Sequence, residues 1–142
     1  MALTPINYAV DIDAAQTDNS TQTVEPSKTW QINLETGRIE RFIDDKEAIR
    51  QYIRKALMTG RNRYLIYDDT YGEEIRDLIG QNLTPALRDV EIPRLVREAI
   101  EYDDRILEVT DVKITQYGSD GIHIEISVEL IDGEFLTEGV TI

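Results

Sequence analysis

Between residues 121 and 131 the chain alternates without a break. Ile122, Ile124, Ile126, Val128 and Leu130 are apolar, while His123, Glu125, Ser127 and Glu129 are polar. Side chains of a strand point to opposite faces at a period of two, so this run is a strand with one face buried and the other in water. It constrains the fold more than any other segment, because a one-residue slip would exchange its two faces completely. A strand buried on one face belongs to an antiparallel sheet. Asp132-Gly133 is a hairpin turn signal that returns the chain through a further strand, Glu134 to Ile142. On the other side, Gly118-Ser119-Asp120-Gly121 is a turn leading back to Ile106–Tyr117, which is rich in β-branched residues.

Upstream, Trp30, Ile32 and Leu34 alternate with polar residues, Glu35-Thr36-Gly37 supplies a turn, and Ile39 to Ile43 return, which makes a hairpin. Asp44 followed by Glu47 fits a capping box, with Asp in place of Ser or Thr. Ala48, Ile49, Tyr52, Ile53, Ala56 and Leu57 then recur at helical spacing, predicting a helix over 45–58 that stops near Gly60. A short strand is expected over Arg63 to Tyr67. A second helix is expected from Glu73 to about Gln81, with Ile75, Leu78 and Ile79 inward. Thr84-Pro85 is an N-cap and first-turn pair. Pro93 argues against one uninterrupted helix from 85 to 101 and fits the first turn of a separate helix ending at Glu101, buried through Leu95, Val96, Ala99 and Ile100. The fold class is α+β: a hairpin, then about three helices packed on an antiparallel C-terminal sheet.

Residues 1–27 read as an extended N-terminal arm ahead of a single domain over 28–142. The run Gln16 to Thr23 is polar and of low complexity, too poor in apolar surface to offset its ordering entropy, so the arm should be mobile when free. Within it Ile6, Tyr8, Val10 and Ile12 alternate with Asn7, Ala9 and Asp11, which suits a short strand or a partner-binding segment.

Composition excludes several functions. The 142 residues carry 15 Lys plus Arg against 28 Asp plus Glu, a formal net charge of −13, which repels a phosphate backbone and argues against nucleic acid as a partner. No run of about 20 apolar residues exists to span a membrane, and the N-terminus has no signal-peptide pattern. With no cysteine, thiolate metal sites and a Cys nucleophile are absent. No cofactor is expected, since there is neither a glycine-rich phosphate loop nor EF-hand spacing. The lone His123 has no nucleophile to activate. The carboxylate pairs Asp68/Asp69, Glu73/Glu74 and Asp103/Asp104 suit loop and cap positions. Bases are unevenly spread: residues 28–63 hold nine against five acids, residues 101–142 two against eleven. Lys46, Arg50 and Arg54 fall at i, i+4 and i+8, forming a basic stripe on the first helix, opposite its apolar face, that is either solvated or docked on an acidic protein surface. Tyr102-Asp103-Asp104-Arg105 forms a corner between helix and sheet, where Asp103 or Asp104 can pair with Arg105.

Arg63-Tyr64-Leu65-Ile66-Tyr67, Tyr71-Gly72-Glu73-Glu74, Leu78-Ile79-Gly80, Arg94 to Ile100 and Asp103-Asp104-Arg105-Ile106 together resemble the contractile-tail baseplate wedge family. The family includes a T-even phage wedge protein once described as a tail lysozyme, and the tail proteins of defective prophages. The resemblance covers residues 28–142 and is most specific over 55–112. The family's hallmark is an aromatic residue followed by Glu-Pro-Arg. Tyr102, Asp103 and Arg105 match that pattern, while Asp104 replaces the proline. The resemblance implies a non-enzymatic baseplate component, in six copies, that contacts other wedge and hub proteins and is the platform for the first sheath ring. It also implies that sheath arms join by strand addition over 134–142, which brings Glu134, Phe135, Leu136, Thr137 and Val140 into the interface. A tail-associated cell-wall hydrolase is the alternative class.

Overall fold

A computed structural model describes residues 27–118 and 120–142, so the arm expected over 1–27 lies outside the described residues except for Ser27. Strands β1 (Thr29–Ile32) and β2 (Ile39–Ile43) form the expected hairpin, and α1 (Asp45–Met58) follows where the sequence places it. Helix α2 spans Pro85–Ile100. Strands β3 (Ile106–Gly118), β4 (Gly121–Leu130) and β5 (Phe135–Thr141) form one antiparallel sheet in the order β3-β4-β5. The class is α+β, with two α-helices among the described residues instead of about three.

The core lies between the helices and one face of this sheet. Ile122, Ile124, Ile126 and Val128 of β4 are fully buried, as the alternation requires, against Ile53 and Leu57 of α1 and Ile92, Val96 and Ile100 of α2. On β3 the residues opposite Leu130, Val128, Ile126, Ile124 and Ile122 are Ile106, Val109, Val112, Ile114 and Tyr117. Their spacing of three, three, two and three does not fit a plain strand. Register shifts between Ile106 and Glu108, Val109 and Asp111, and Ile114 and Gln116 absorb extra residues and keep this set on the core face. The Glu101 side chain accepts the Val109 N–H at 3.0 Å, beside the first of these irregularities.

Four local expectations are corrected. Pro93 lies inside one continuous α2. A helical proline forfeits a hydrogen bond and costs about 3 kcal/mol, whereas Ile92, Leu95, Val96, Ala99 and Ile100 are all buried by the uninterrupted helix. Each larger apolar side chain contributes roughly 1.5–3 kcal/mol on burial, so packing outweighs the break. The helix expected over 73–81 is a single 3-10 turn, Ile75–Leu78, ended by Gly80 at φ +83°. The Tyr117 hydroxyl lies 3.3 Å from the Leu78 and Gln81 carbonyls and takes the place of a further helical turn. Residues 63–67 form turns and no strand. Asn62 has a left-handed φ of +59°, and Leu65 and Ile66 find no surface to pack on. Finally, Asp44 caps α1 through the Asp45 N–H, but Glu47 pairs with Arg41 at 3.1 Å and does not close a capping box.

Candidate assembly interface

Strand β5 carries its even-numbered side chains Leu136, Glu138 and Val140 into the core and exposes the odd ones. Ile122 and Ile142 exchange both backbone hydrogen bonds, and the Leu130 N–H donates to Glu134. That parity, with no register shift between β4 and β5, assigns the hydrogen bonds of Leu136, Glu138 and Val140 to β4. The N–H and C=O groups of Phe135, Thr137, Gly139 and Thr141 therefore point away from the sheet along a regular edge that no strand among the described residues occupies. The paired side chains agree: Ser127 with Thr137, and His123 with Thr141, meet across the exposed face at 3.2 and 2.8 Å. The other edge of the sheet is β3, whose repeated irregularities disrupt its ladder.

Beside the free edge runs a groove of about 640 Å³, lined by Ile32, Leu34 and Met58, by Arg50 and Arg54, and by Gly139 to Thr141. Arg50 and Arg54 of the basic stripe line it, and the whole stripe is engaged by the chain's own acidic C-terminal segment. Lys46 pairs with Glu134 at 2.5 Å. Arg54 holds Glu138 at 2.5 Å, and Arg50 lies 3.9 Å from the same carboxylate. Glu138 is 5% exposed, whereas the two arginine side chains remain half exposed. Glu138, the buried partner of this stripe, is a candidate residue that the sequence reading missed. Its signal was a carboxylate at a core-facing position between Leu136 and Val140, which needs a cation to be buried there.

At the corner, Asp103 and Arg105 meet in a two-pronged pair, Nε to Oδ1 at 2.8 Å and Nη2 to Oδ2 at 2.6 Å, while the Arg105 N–H donates to the same carboxylate at 3.0 Å. Burial pushes the Asp103 carboxyl up, but the Arg105 hydrogen bonds and charge outweigh it and hold the pKa below its ordinary value. The same hydrogen bonds raise the Arg105 pKa. Arg105 also lies over the Tyr52 ring, 5.8 Å from its centroid. Asp103 and Arg105 are thus brought together, whereas Tyr102 and Asp104 point outward, Tyr102 with 63% of its surface exposed.

A second projecting feature is the loop 61–72. Its neck is closed by Arg61 N–H to Glu73 and Glu73 N–H to Thr59, with the Arg61 guanidinium on the Gly72 carbonyl. Gly72, at φ +105°, is required there because a Cβ would lie 2.6 Å from the Thr59 oxygen. Buried Glu73 accepts both the backbone and the side-chain N–H of Arg76 at 3.0 Å, although burial still raises its pKa. Asp68 Oδ1 turns the loop by accepting from Thr70 and Tyr71. These carboxylates are thus held in local hydrogen-bond networks, and Leu65 and Ile66 stand fully or almost fully exposed at the tip. Sequence reading placed them in a strand and missed their exposure.

The profile of the contractile injection system sheath initiator family matches residues 27–133. The chain is also 40% identical over 142 residues to the phage-like element PBSX protein XkdS of Bacillus subtilis (strain 168), an alignment covering 99% of this chain and 96% of that protein. The chain belongs to the contractile injection system sheath initiator family.

Proposed function

We propose that this chain is a wedge component of the baseplate, present in six copies, that starts the first sheath ring by accepting an extended sheath segment along β5. The observation that carries this reading is the regular free edge of Phe135, Thr137, Gly139 and Thr141, on a sheet whose other edge is irregular. Strand addition uses main-chain hydrogen bonds for affinity and alternate side chains for specificity. The exposed parts of Arg50 and Arg54 sit beside that edge and suit a segment bearing a carboxylate. Contacts with other wedge or hub proteins would use exposed Tyr102, Asp104, Leu65 and Ile66.

A point substitution tests this reading better than a truncation. Deleting residues 134–142 would remove Leu136 and Val140 from the core, so truncation tests folding as much as sheath assembly. Thr137→Pro removes one outward N–H and leaves the β4–β5 ladder in place. Electron microscopy of tails assembled with this variant should reveal baseplates and tubes without sheath. Normally sheathed tails would overturn the reading.

A further inference from the structure

A cavity of about 560 Å³ lies between the start of β1, α1 and the corner. Lys28, Tyr52, Lys55, Tyr71, Tyr102 and Asp104 are among the residues that line it. Lys55 is half-buried, yet it pairs with no carboxylate among the described residues. Its ammonium stands instead over the Tyr67 and Tyr71 rings, 5.5 and 5.7 Å from their centroids, and those rings stack on each other at 4.5 Å. Lys28 likewise makes no ion pair among the described residues and stands over the Phe42 ring at 5.0 Å. The other two of the chain's four lysines do have carboxylates, Lys46 on Glu134 and Lys113 on Asp111 at 3.3 Å. In a chain of 28 acids and 15 bases, the two lysines left to aromatic rings thus line one cavity. A ring attracts a cation without neutralising it, so both ammoniums keep their capacity for an anion.

The cavity is also short of acceptors. Asp103 and Arg105 are spent on each other, and the Gln51 side chain is spent on the Ile32 N–H and the Trp30 carbonyl. The buried Tyr52 hydroxyl finds no acceptor among the described residues. Asp104 is the remaining carboxylate of the lining, and it points outward. We propose that this cavity binds the carboxylate of an acidic segment of another protein, held by the Lys55 and Lys28 ammoniums, with the Tyr71 and Tyr102 rings against its neighbouring residues. A peptide fits better than a free anion. The volume admits a side chain together with its backbone, and the one guanidinium of the lining has its fork on Asp103, which leaves no planar pair of donors for a phosphate. Local charge agrees, with three cations against two carboxylates in the lining. The chain's net charge of −13 opposes an acidic partner at long range, but its more distant charges are screened beyond about 8 Å at physiological ionic strength. The site shares no residue with β5 and stands or falls apart from strand addition.

Reductive methylation with an isotope label gives each lysine its own methyl signal and keeps its charge, so nuclear magnetic resonance of the full chain reads the four lysines separately. The probe is a hexaglutamate peptide, with hexaglutamine and inorganic phosphate as controls. Hexaglutamate should shift the Lys55 and Lys28 signals saturably and leave Lys46 and Lys113 in place, and hexaglutamine should shift none. Lys55→Gln should weaken hexaglutamate binding, read at Lys28, by about tenfold, as expected for one charge-assisted contact. Lys113→Gln should leave it unchanged. Equal shifts at all four lysines, or none at Lys55, would overturn the proposal. So would the same shifts with phosphate at equal concentration, which would assign the cavity to small anions, or shifts that grow with protein concentration alone, which would assign it to a second copy.

Discussion

The Arg105 guanidinium spends both prongs of its fork on the Asp103 carboxylate two residues earlier, at 2.8 and 2.6 Å. The arginine matched by the family's corner pattern thus braces the turn from α2 into β3. Its carbonyl accepts the Ile131 N–H at 3.2 Å, tying the corner to the β4–β5 turn as well. The side chains left to face outward are Tyr102 and Asp104.

This geometry makes the corner pH-sensitive. The Asp103 pKa is lowered on folding, so its stabilising contribution is present above the ordinary carboxylate range and is lost as pH falls through the folded-state value. Urea midpoints of the wild type and Asp103→Asn should therefore differ most near neutrality and converge in acid. Arg105→Ala leaves a carboxylate with 12% of its side chain exposed without its partner and should cost about 2 kcal/mol. Arg105→Lys should recover only part of this, because an ammonium cannot make the planar two-pronged contact.

The pair at β5 should behave asymmetrically. Removing the cation with Arg54→Ala leaves buried Glu138 with Arg50 at 3.9 Å as its remaining partner, and should cost about 2 kcal/mol. Glu138→Leu instead places an apolar side chain between Leu136 and Val140 and lets the half-exposed arginines turn to water, so stability should change by less than about 1 kcal/mol. Thermal unfolding of both variants checks the order. Equal losses would mean that the ion pair itself is a net source of stability.

The β4 strand, its two turns and the buried face of α1 were legible because each follows a single period and borders water on one side. Strand β3 was legible as a strand but not in register, since its core residues Ile106, Val109, Val112 and Ile114 break the period of two and are realigned only by pairing with β4. Pro93 misled because local propensity carries no information about how much of α2 is buried. The site divides in the same way. Lys46, Arg50 and Arg54 could be grouped from helical spacing, but their partners Glu134 and Glu138 lie about 84 to 88 residues away in sequence and emerge only from the sheet.

Tyr52 offers a test of a buried polar cost. Its ring lies between α1 and the corner, and its hydroxyl is buried without a hydrogen-bond partner among the described residues. Burial, with the Asp103 charge adding to it, raises the Tyr52 pKa far above its ordinary value. An unsatisfied hydroxyl costs about 1–3 kcal/mol, so Tyr52→Phe should stabilise the protein by about 1 kcal/mol and raise its melting temperature. A destabilised variant would mean that the hydroxyl has a partner in solution.

The free edge of β5 makes a prediction about folding alone, separate from assembly. Leu136 and Thr137 are neighbours, yet their backbone N–H groups point in opposite directions, the first to β4 and the second outward. Proline at 136 removes a ladder bond and the side chain of a residue only 2% exposed, so Leu136→Pro should unfold the sheet or lower its stability by more than about 3 kcal/mol. Proline at 137 removes an N–H that points away from β4 and meets no backbone partner among the described residues, so Thr137→Pro should keep a native circular dichroism spectrum and a melting temperature near that of the wild type. If the two variants are equally damaged, the parity assigned to β5 is wrong. A folded Thr137→Pro protein that fails to start the sheath would then locate the defect in the outward N–H.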